Sequence, residues 1–257
     1  MSVAFRPEDA QCWVHGRRRM ESPRAPHHWN VTPTEAVALQ KRLREQLILE
    51  PPPGLRVTRL AGADISTEKG NDTGYGGMVV LDAATLQPVS RAVATARLTF
   101  PYVPGLLSFR ELPVLAAVWE RLTVRPDVLI FDGQGTAHPR RVGIACHGGL
   151  LFDIPSIGCA KSLLVGTPGK LAERRGATSP ITHKGEVVGM AVRTRAGVSP
   201  VYVSPGHRMD LDTAVEWVLK ASPRYREPET TRHAHRLVNA FRRAGGETAE
   251  LEEGSPG

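Results

Sequence analysis

The sequence is poor in cysteine and has no long apolar run, and both shortages exclude classes of protein. Three cysteines occur among 257 residues, at Cys12, Cys146 and Cys159, without paired spacing. This usage excludes a disulfide-stapled secreted scaffold and favours a reducing compartment. No stretch of about 18 or more apolar residues occurs, and the N-terminus lacks the apolar core of a signal peptide. The sequence therefore predicts a cytoplasmic protein without a membrane span.

Lysine is also scarce, because only six of the 33 basic residues are Lys and the others are Arg. The formal net charge is nevertheless +7. A positive surface favours a polyanionic partner, since neutralising phosphates releases counterions, and guanidinium groups bind phosphate with two hydrogen bonds. A GC-rich genome would produce the same bias towards Arg. The charge is therefore equally consistent with a nucleic-acid partner and with codon usage.

The composition, with 41% apolar residues, is sufficient for one sizeable core, and one folded domain with two tails is predicted. Residues 1–30 combine basic clusters and prolines without periodicity, which predicts a basic, disordered extension. Residues 31–244 form the predicted folded domain. Residues 245–257 are acidic and low in apolar content, which predicts a disordered tail. No internal repeat occurs.

The order of the predicted elements indicates an α/β protein. A capping box with proline at the first helical position marks a helix start at 32–35. Alternating or apolar runs then predict a three-stranded antiparallel meander. The remaining elements are predicted from apolar periodicity and turn residues. The strands of the meander are predicted at 56–66, 75–82 and 89–100, and they are followed by a helix at 106–122, a buried strand at 128–132, a helix at 142–151, a strand at 154–160, strands at 186–193 and 200–203, and helices at 210–220 and 228–243. This order is typical of the ribonuclease H-like fold, with a mixed central sheet flanked by helices.

The segment at 166–184 is rich in Gly, Pro, Lys and Arg and is predicted to be a basic surface excursion. It contains a Gly-Thr-Pro-Gly-Lys string at 166–170 that resembles a phosphate-binding loop. The string is too short, and Leu171 stands where that loop requires Ser or Thr, so a phosphate-binding loop is rejected. The adjacent Cys146 and His147 lack the spacing of a zinc site and are predicted to pack inside a helix.

The most informative motif is an Asp-Gly-x-Gly-x-Ala-His-Pro-Arg-Arg string at 132–141, which follows the apolar strand at 128–131. Ligand sites in open α/β sheets lie just beyond the carboxyl ends of such strands. Asp132 is therefore expected at the mouth of a site. An Asp-Gly pair is by itself more often a plain turn, so the other motifs must decide.

Three further segments decide the interpretation. They are an Ala-Gly-Ala-Asp-Ile-Ser string at 61–66, a Tyr-x-Pro-Gly-Leu-Leu-x-Phe-Arg-Glu string at 102–111, and an apolar run at 154–162 that ends in Ala-Lys-Ser. Together with the string at 132–141, they closely resemble endonuclease V, a family of repair nucleases for deaminated bases. The resemblance extends from about residue 34 to about residue 239.

Carboxylates at the ends of neighbouring strands would converge, and carboxylates that hold Mg²⁺ activate water and compensate charge on a leaving oxygen. Asp64 and Asp132 lie at such strand ends, and Glu111 would approach from the following helix. Glu111 taken alone would be an exposed helix charge. The resemblance implies that Asp64, Asp132 and Glu111 are catalytic metal ligands for Mg²⁺, for which Mn²⁺ is expected to substitute.

Two further catalytic residues are predicted. Lys161 ends an apolar strand, where a cation without a partner would be costly, so it is expected to face a phosphate or an attacking water. A surface lysine with an extended stem is the alternative. The resemblance implies that Lys161 is a catalytic lysine. It also implies that His235, the last residue of a matching element at 228–235, approaches the metal site.

The remaining predicted site residues contact nucleic acid. Prolines and one glycine around Tyr102 would hold its ring out from the surface, where it could replace stacking when a nucleotide leaves a duplex. The resemblance implies that this loop is a wedge at the lesion. Glycine amides and a histidine would line the pocket for the flipped base, and two arginines suit phosphates. The predicted nucleic-acid-binding residues are Tyr102, Pro104, Gly105, Gly133, Gly135, His138, Arg140 and Arg141. Many members of the family have His where this chain has Gln134.

The function that the resemblance implies is a Mg²⁺-dependent endonuclease that recognises hypoxanthine and other deaminated purines in DNA. It would cleave the second phosphodiester bond on the 3′ side of the lesion and leave 3′-hydroxyl and 5′-phosphate ends. An inosine-specific ribonuclease remains an alternative, as does a non-catalytic nucleic-acid-binding module. The expected partner is lesion-containing DNA or inosine-containing RNA, and a monomer without membrane contact is expected.

Overall fold

The computed structural model describes residues 23, 25–68 and 70–247. Most of the predicted extension at 1–30 and of the predicted tail at 245–257 lies outside these ranges. Within the described residues 25–30 the prediction of disorder is wrong, because His27 bonds the buried His147 and Trp29 packs against the core. None of the helices within them is both long and apolar enough to cross a membrane. The helices are α1 (Pro33–Glu45), α2 (Leu107–Trp119), α3 (Ile144–Phe152), α4 (Leu211–Ala221) and α5 (Glu229–Arg243). The strands are β1 (Arg59–Thr67), β2 (Thr73–Asp82), β3 (Pro88–Arg97), β4 (Val128–Phe131), β5 (Ser156–Ala160), β6 (Thr167–Pro168), β7 (Thr178–His183), β8 (Glu186–Val192) and β9 (Val201–Pro205).

The strands form one mixed sheet in the order β3-β2-β1-β4-β5-β9-β8-β7-β6. The meander β1-β2-β3 is antiparallel, whereas β4 runs parallel to both β1 and β5. Strands β9, β8, β7 and β6 continue the sheet in antiparallel pairs. The α/β class and the ribonuclease H-like fold are confirmed.

Helices cover both faces of this sheet. In β2, apolar side chains alternate between the two faces, so each face needs a cover. Met78 and Val80 pack in one cluster with α2 and α3. Val79 and Leu81 point to the opposite face and pack against α5. Helix α4 packs on that second face, further along the sheet, against β4, β5 and β9. Successive strand residues face opposite sides of a sheet, so strands buried on both faces have nearly continuous apolar sequences.

Helix α1 begins with the predicted capping box, in which the Thr32 hydroxyl accepts a hydrogen bond from the Glu35 amide and the Glu35 carboxylate accepts one from the Thr32 amide. The helix packs Ala36 and Leu39 against Phe109 of α2 and the segment before it. It therefore supports the loop between β3 and α2, which contains Tyr102.

Helix α3 forms despite its two internal glycines, because close packing requires them. A Cβ atom at Gly148 would lie 2.3 Å from the ring of Phe131 in β4. Cys146 and His147 are both buried in this helix, as predicted. Burial raises the pKa of the Cys146 thiol to about 12, which makes it an inert packing group.

The prediction of a surface excursion at 166–184 is partly wrong. The segment contributes β6 and β7 to the sheet, and only the stretch between them is a basic loop. In β7, buried and exposed side chains alternate: Ser179 and Ile181 are buried, while their neighbours are exposed or partly exposed. Pro180 and the surrounding charges hide this period. The rejection of a phosphate-binding loop is consistent with the structure, since 167–168 is an edge strand.

Candidate active site

Asp64 and Asp132 lie side by side where the parallel pairing of β1 with β4 ends. Strand β1 pairs with β4 so that Ala63 is the register partner of Phe131, and the two aspartates are the next residues. Asp132 directly follows β4, but β1 continues past Asp64 to Thr67 because β2 still pairs with it, so the prediction of a strand end at Asp64 is wrong. Both side chains are mostly buried, with 16% and 22% of their surface exposed. The predicted convergence of these two carboxylates is therefore observed.

Glu111 faces the two aspartates from the first turns of α2. The residue as a whole is partly buried, and its carboxyl group is strongly desolvated. The pKa of Glu111 is raised to about 8, mainly by desolvation and in part by the negative charges of Asp64 and Asp132. The structure thus brings the three predicted carboxylates close enough for their charges to interact.

His235 of α5 contacts Asp64 directly. Its Nδ1 lies 2.9 Å from the Asp64 Oδ2, and its Nε2 lies 3.0 Å from the Asn239 amide nitrogen. The helix reaches this position because it crosses β1 at Gly62, where a Cβ atom would lie 2.2 Å from the Thr230 carbonyl oxygen. Burial raises the pKa of Asp64, and the hydrogen bond from His235 opposes that rise. The predicted approach of His235 to the acidic residues is observed.

Lys161 follows β5 and turns towards the same acidic group. Its Nζ lies 2.7 Å from the Asp132 Oδ2 and 3.2 Å from the Glu227 Oε2. The sequence predicted a phosphate or a water as its partner, whereas in this structure two carboxylates satisfy the charge. Glu227 was not predicted from the sequence. The available signal was its position directly before the element at 228–235.

The chemistry of these donors fits a hard divalent cation. Mg²⁺ prefers carboxylate oxygens. Burial raises the pKa of both Asp64 and Glu111, neighbouring carboxylates add to the rise, and a cation would stabilise the ionised form of each. In the part of the chain that the structure describes, no group of three or more His, Cys, Asp or Glu side chains stands in a ready arrangement for a metal. His235 and Lys161 instead engage two of the carboxylates, so these contacts would have to adjust.

A cavity of about 400 Å³ opens beside Asp132 and Lys161. The loop that contains Tyr102 forms part of its wall, and the glycine-rich loop after β4 forms another part. The predicted site residues in its lining are Tyr102, Pro104, Gly105, Asp132, Gly133, His138 and Lys161. Tyr102 is 73% exposed, which agrees with a ring held out from the surface.

The Tyr102 loop is anchored through one backbone oxygen. The carbonyl of Gly105 accepts hydrogen bonds from Gln40 Nε2 at 3.0 Å, His138 Nε2 at 2.9 Å and Arg140 Nη2 at 2.8 Å. Gly105 itself has a φ of 78°, a conformation that favours glycine. Gln40 was missed from the sequence, because a polar residue within α1 carries no local signal of a contact 65 residues away.

Two predicted base contacts are corrected by this geometry. The Gly135 amide donates to the Ser204 hydroxyl at 2.9 Å, and a Cβ atom at Gly135 would lie 1.9 Å from the Pro205 carbonyl oxygen. Gly135 is therefore needed for close packing. The Gly133 amide donates to the Phe131 carbonyl, so its N–H group is also engaged.

His138 also differs from its prediction as a base contact. The pKa of His138 is lowered to about 4, mainly by burial and in part by the charge of nearby Arg140. Its Nδ1 accepts from the Arg140 amide, which leaves the proton on Nε2 for the Gly105 carbonyl. The neutral ring lines the cavity, but its Nε2 is bonded to the Tyr102 loop and its Nδ1 to the Arg140 amide, so neither nitrogen is free for a base.

The two predicted phosphate-binding arginines lie in different environments. Arg141 is buried and donates to Glu186 at 2.9 Å and to the backbone carbonyls of His138 and His183. This arrangement argues against a phosphate contact, because the guanidinium is already saturated. Arg140 is half-buried and donates to Gln40 and Gly105, so it also supports the loop.

A ribonuclease H-like sheet with carboxylates on adjoining strands, beside a cavity with a lysine, defines a nuclease that hydrolyses phosphodiester bonds. Residues 41–236 match the sequence model of the family described as Endonuclease V. An endonuclease V from Myxococcus xanthus is 79% identical over 224 residues, which cover 87% of this chain and 95% of that protein. The chain belongs to the endonuclease V family.

Solved structures agree with this assignment. A crystal structure of endonuclease V from Streptomyces avermitilis superposes with a TM-score of 0.81 at 42% identity, covering 85% of this chain and 96% of that one. An endonuclease V from Ciona intestinalis, in complex with a 24mer DNA containing an inosine followed by a ribo-adenosine, superposes with a TM-score of 0.69 at 28% identity. That comparison covers 82% of this chain and 98% of the other.

Proposed function

We propose that this nuclease is a Mg²⁺-dependent repair endonuclease that recognises deaminated purines, chiefly hypoxanthine, in DNA. It cleaves the second phosphodiester bond on the 3′ side of the lesion and leaves 3′-hydroxyl and 5′-phosphate ends. The observation that carries the proposal is the shared cavity, whose wall includes both the exposed Tyr102 and the paired Asp132 and Lys161. A base-sized space, an aromatic ring and a charged cluster thus adjoin one another.

The relative from Ciona intestinalis supports the choice of lesion, since its structure contains inosine in DNA. A cavity of about 400 Å³ is large enough for an extruded base. Extrusion removes stacking, and an aromatic ring inserted at the vacated position would replace part of it. Tyr102 is the exposed ring at this cavity, and the anchoring of Gly105 keeps its loop from collapsing when the ring is inserted.

Asp64, Glu111 and Asp132 are the residues that would hold Mg²⁺, and Mn²⁺ is expected to substitute because it accepts the same oxygen donors. When bound, the ion would activate water and compensate the charge that develops on the leaving oxygen. The reaction balances without a covalent enzyme intermediate. The water oxygen joins phosphorus, the bond to the 3′ oxygen breaks, and that oxygen takes up a proton.

The other residues orient the reactants in this proposal. Lys161 places a positive charge at the cavity beside Asp132, where it would draw in a phosphate. The Asn239 amide group donates to the His235 Nε2, so the ring proton lies on Nδ1 and is shared with Asp64. His235 therefore keeps the Asp64 carboxylate in a defined orientation.

We place the protein in the cytoplasm as a monomer that acts on lesion-containing DNA. The unpaired, buried Cys146 and Cys159 suit a reducing compartment. An inosine-specific ribonuclease would use the same cavity, and only a contact to the 2′-hydroxyl would separate the two functions. Family membership favours the nuclease over a non-catalytic binding module.

The experiment that tests the proposal is a gel cleavage assay on matched DNA and RNA oligonucleotides, each with one hypoxanthine. The protein is assayed with Mg²⁺ and with chelator, beside Asp64→Ala and the control Asp212→Ala, which alters an exposed aspartate of α4. We expect metal-dependent cleavage of DNA at the second bond 3′ to the lesion, lost in Asp64→Ala and retained in Asp212→Ala. Cleavage of RNA alone would establish the ribonuclease, and binding without cleavage of either would establish the binding module.

A further inference from the structure

We propose that Glu227 is a positioning residue that holds Lys161 in place for the cleavage reaction. The proposal rests on the proposed function, because it assigns a partner to the lysine of that site. Glu227 lies outside the carboxylate group formed by Asp64, Glu111 and Asp132, and it acts through Lys161 alone.

The first observation is that Lys161 has two acidic partners. Its Nζ lies 2.7 Å from Asp132 and 3.2 Å from Glu227, and its side chain is 39% exposed. Asp132 and Glu227 expose 22% and 29% of their side chains, so both pairs are partly shielded from water. Partly shielded charges are screened less than exposed ones, so both contacts restrain the ammonium group.

The second observation is that Arg226, the residue before Glu227, is bonded to the backbone of Lys161 and to the segment before β9. The Arg226 guanidinium donates to the Lys161 carbonyl at 2.6 Å and to the Pro200 carbonyl at 2.9 Å. It also donates to the Ser199 carbonyl at 3.0 Å. The Arg226 carbonyl in turn accepts from the Thr194 hydroxyl at 2.6 Å. Glu227 is therefore presented to Lys161 from a fixed backbone.

The third observation concerns the other side of Glu227, where the chain enters α5. The Arg232 guanidinium lies 3.4 Å from the centre of the Tyr225 ring. The Thr231 hydroxyl donates to the Pro228 carbonyl at 3.0 Å. These contacts fold the segment 225–232 back on itself. Because α5 continues to His235, the same segment links the partner of Lys161 to the partner of Asp64.

The function of Glu227 follows from the different tasks of the two carboxylates. Asp132 is a proposed metal ligand, so its negative charge would be shared with a cation during the reaction. A lysine with Asp132 as its single partner would lose that restraint at the moment when its position matters. Glu227 keeps one carboxylate on the ammonium throughout, so Lys161 stays directed at the cavity.

This role predicts an effect on turnover without a loss of affinity. Glu227 is an anion beside a surface proposed to receive phosphates, so neutralising it removes repulsion and leaves lesion binding unchanged or tighter. Misplacing a catalytic group lowers the rate of the chemical step. We therefore expect Glu227→Gln to reduce kcat by about tenfold while KM stays within about twofold of the unaltered value.

The experiment measures cleavage of hypoxanthine-containing DNA by the full chain and by Glu227→Gln. The matched control is Glu216→Gln, which removes the carboxylate partner of Lys220, 2.6 Å away on α4, far from any predicted site residue in sequence. The control should retain kcat and KM. Lesion binding in chelator, measured for the same variants, should be equal or tighter in Glu227→Gln.

A double-mutant cycle then separates positioning from a general disturbance. In a Lys161→Met background, Glu227→Gln should cause no further loss of single-turnover rate, because the ammonium group that Glu227 positions is absent. The same cycle on the free energy of unfolding, which needs no activity, should show that the two changes are not additive.

Three outcomes would each overturn the proposal if the unaltered chain still cleaves. The first is an unchanged kcat in Glu227→Gln. The others are an equal loss of cleavage rate from Glu227→Gln in the Lys161→Met background, and additive effects of the two changes on the free energy of unfolding. Failure of the unaltered chain to cleave would overturn the proposed function and this assignment with it. The two failures are therefore distinguishable.

Discussion

The two sides of the cavity are built from different interactions. On the acidic side, each aspartate has a side-chain partner: Lys161 forms an ion pair with Asp132, and His235 forms a hydrogen bond with Asp64. On the loop side, three neutral or cationic donors converge on the backbone oxygen of Gly105. Side-chain ion pairs can exchange partners when a cation or a phosphate arrives, whereas a backbone carbonyl with three donors stays where it is. The comparison indicates an adaptable chemical side and a rigid recognition side.

Replacing Asp132 should have the largest effect, because the acidic side would lose the carboxylate that adjoins both Asp64 and Lys161. We expect Asp132→Ala to reduce the cleavage rate by a factor on the order of a thousand or more. Lesion binding in chelator should remain, since the loop side is untouched. Single-turnover cleavage and a binding titration measure the two effects. Asp212→Ala is the control, and retained turnover in Asp132→Ala would contradict the metal assignment.

Replacing Arg141 should affect stability rather than recognition. Arg141→Ala removes a buried guanidinium that bonds Glu186 and the backbone carbonyls of His138 and His183. We expect the free energy of unfolding to fall by about 2 kcal/mol, measured by chemical denaturation. The exposed Arg174→Ala is the control. A folded Arg141→Ala with normal stability but weak affinity for undamaged DNA would restore the phosphate role.

Replacing Tyr102 tests the recognition side directly. Tyr102→Ala should reduce the preference for lesion-containing over intact DNA by about tenfold, because stacking on an aromatic ring contributes roughly 1–3 kcal/mol per base. Tyr102→Phe keeps the ring and should keep the preference. Competition binding with matched duplexes measures both variants. Equal discrimination by Tyr102→Ala and the unaltered chain would remove the wedge role.

The smallest expected effect is a pH dependence from His138. Its pKa in the folded protein is about 4, below the ordinary value of 6.5, so the unfolded chain binds the proton first. Stability from this group is present above pH 6.5 and is lost as the pH falls from there towards 4. Between about pH 7.5 and about pH 6 the loss should be about 1 kcal/mol.

The measurement compares the unaltered chain with His138→Gln, which keeps a side-chain N–H for the Gly105 carbonyl but cannot titrate. The difference in unfolding free energy between the two pH values should be smaller in the variant. Glu111, whose raised pKa contributes with the opposite sign, is present in both proteins and cancels in the comparison. Identical pH dependence of the two proteins would show that His138 is not held neutral by burial.

Much of the fold could be predicted because its signals are local. The capping box at Thr32, the apolar run of β4 and the meander of β1 to β3 depend on neighbouring residues, and all are observed close to their predicted bounds. The exceptions are the short β6 and β7, and in β7 Pro180 and nearby charges hide an alternating pattern. That strand forms because β8 supplies its hydrogen bonds, and no short window of sequence contains that information.

The chemistry of the site was visible in the sequence, but the partners of its side chains were not. Asp64, Glu111, Asp132, Lys161 and His235 were all predicted, and the structure brings them together. Their catalytic and metal-binding roles remain predictions. Gly135, His138 and Arg141 were assigned to nucleic acid, yet the structure commits their polar groups to Ser204, Gly105 and Glu186 respectively.

The sequence by itself determined the family, the order of elements and the set of reactive side chains, since these depend on residue identity and on local periodicity. Only the tertiary structure decided which of those side chains are free for a ligand and which hold the protein together. The reason is that hydrogen bonds such as those of Gln40 and Glu227 join residues 65 or more positions apart in sequence. Such contacts form only after the sheet and its helices have brought these distant residues together.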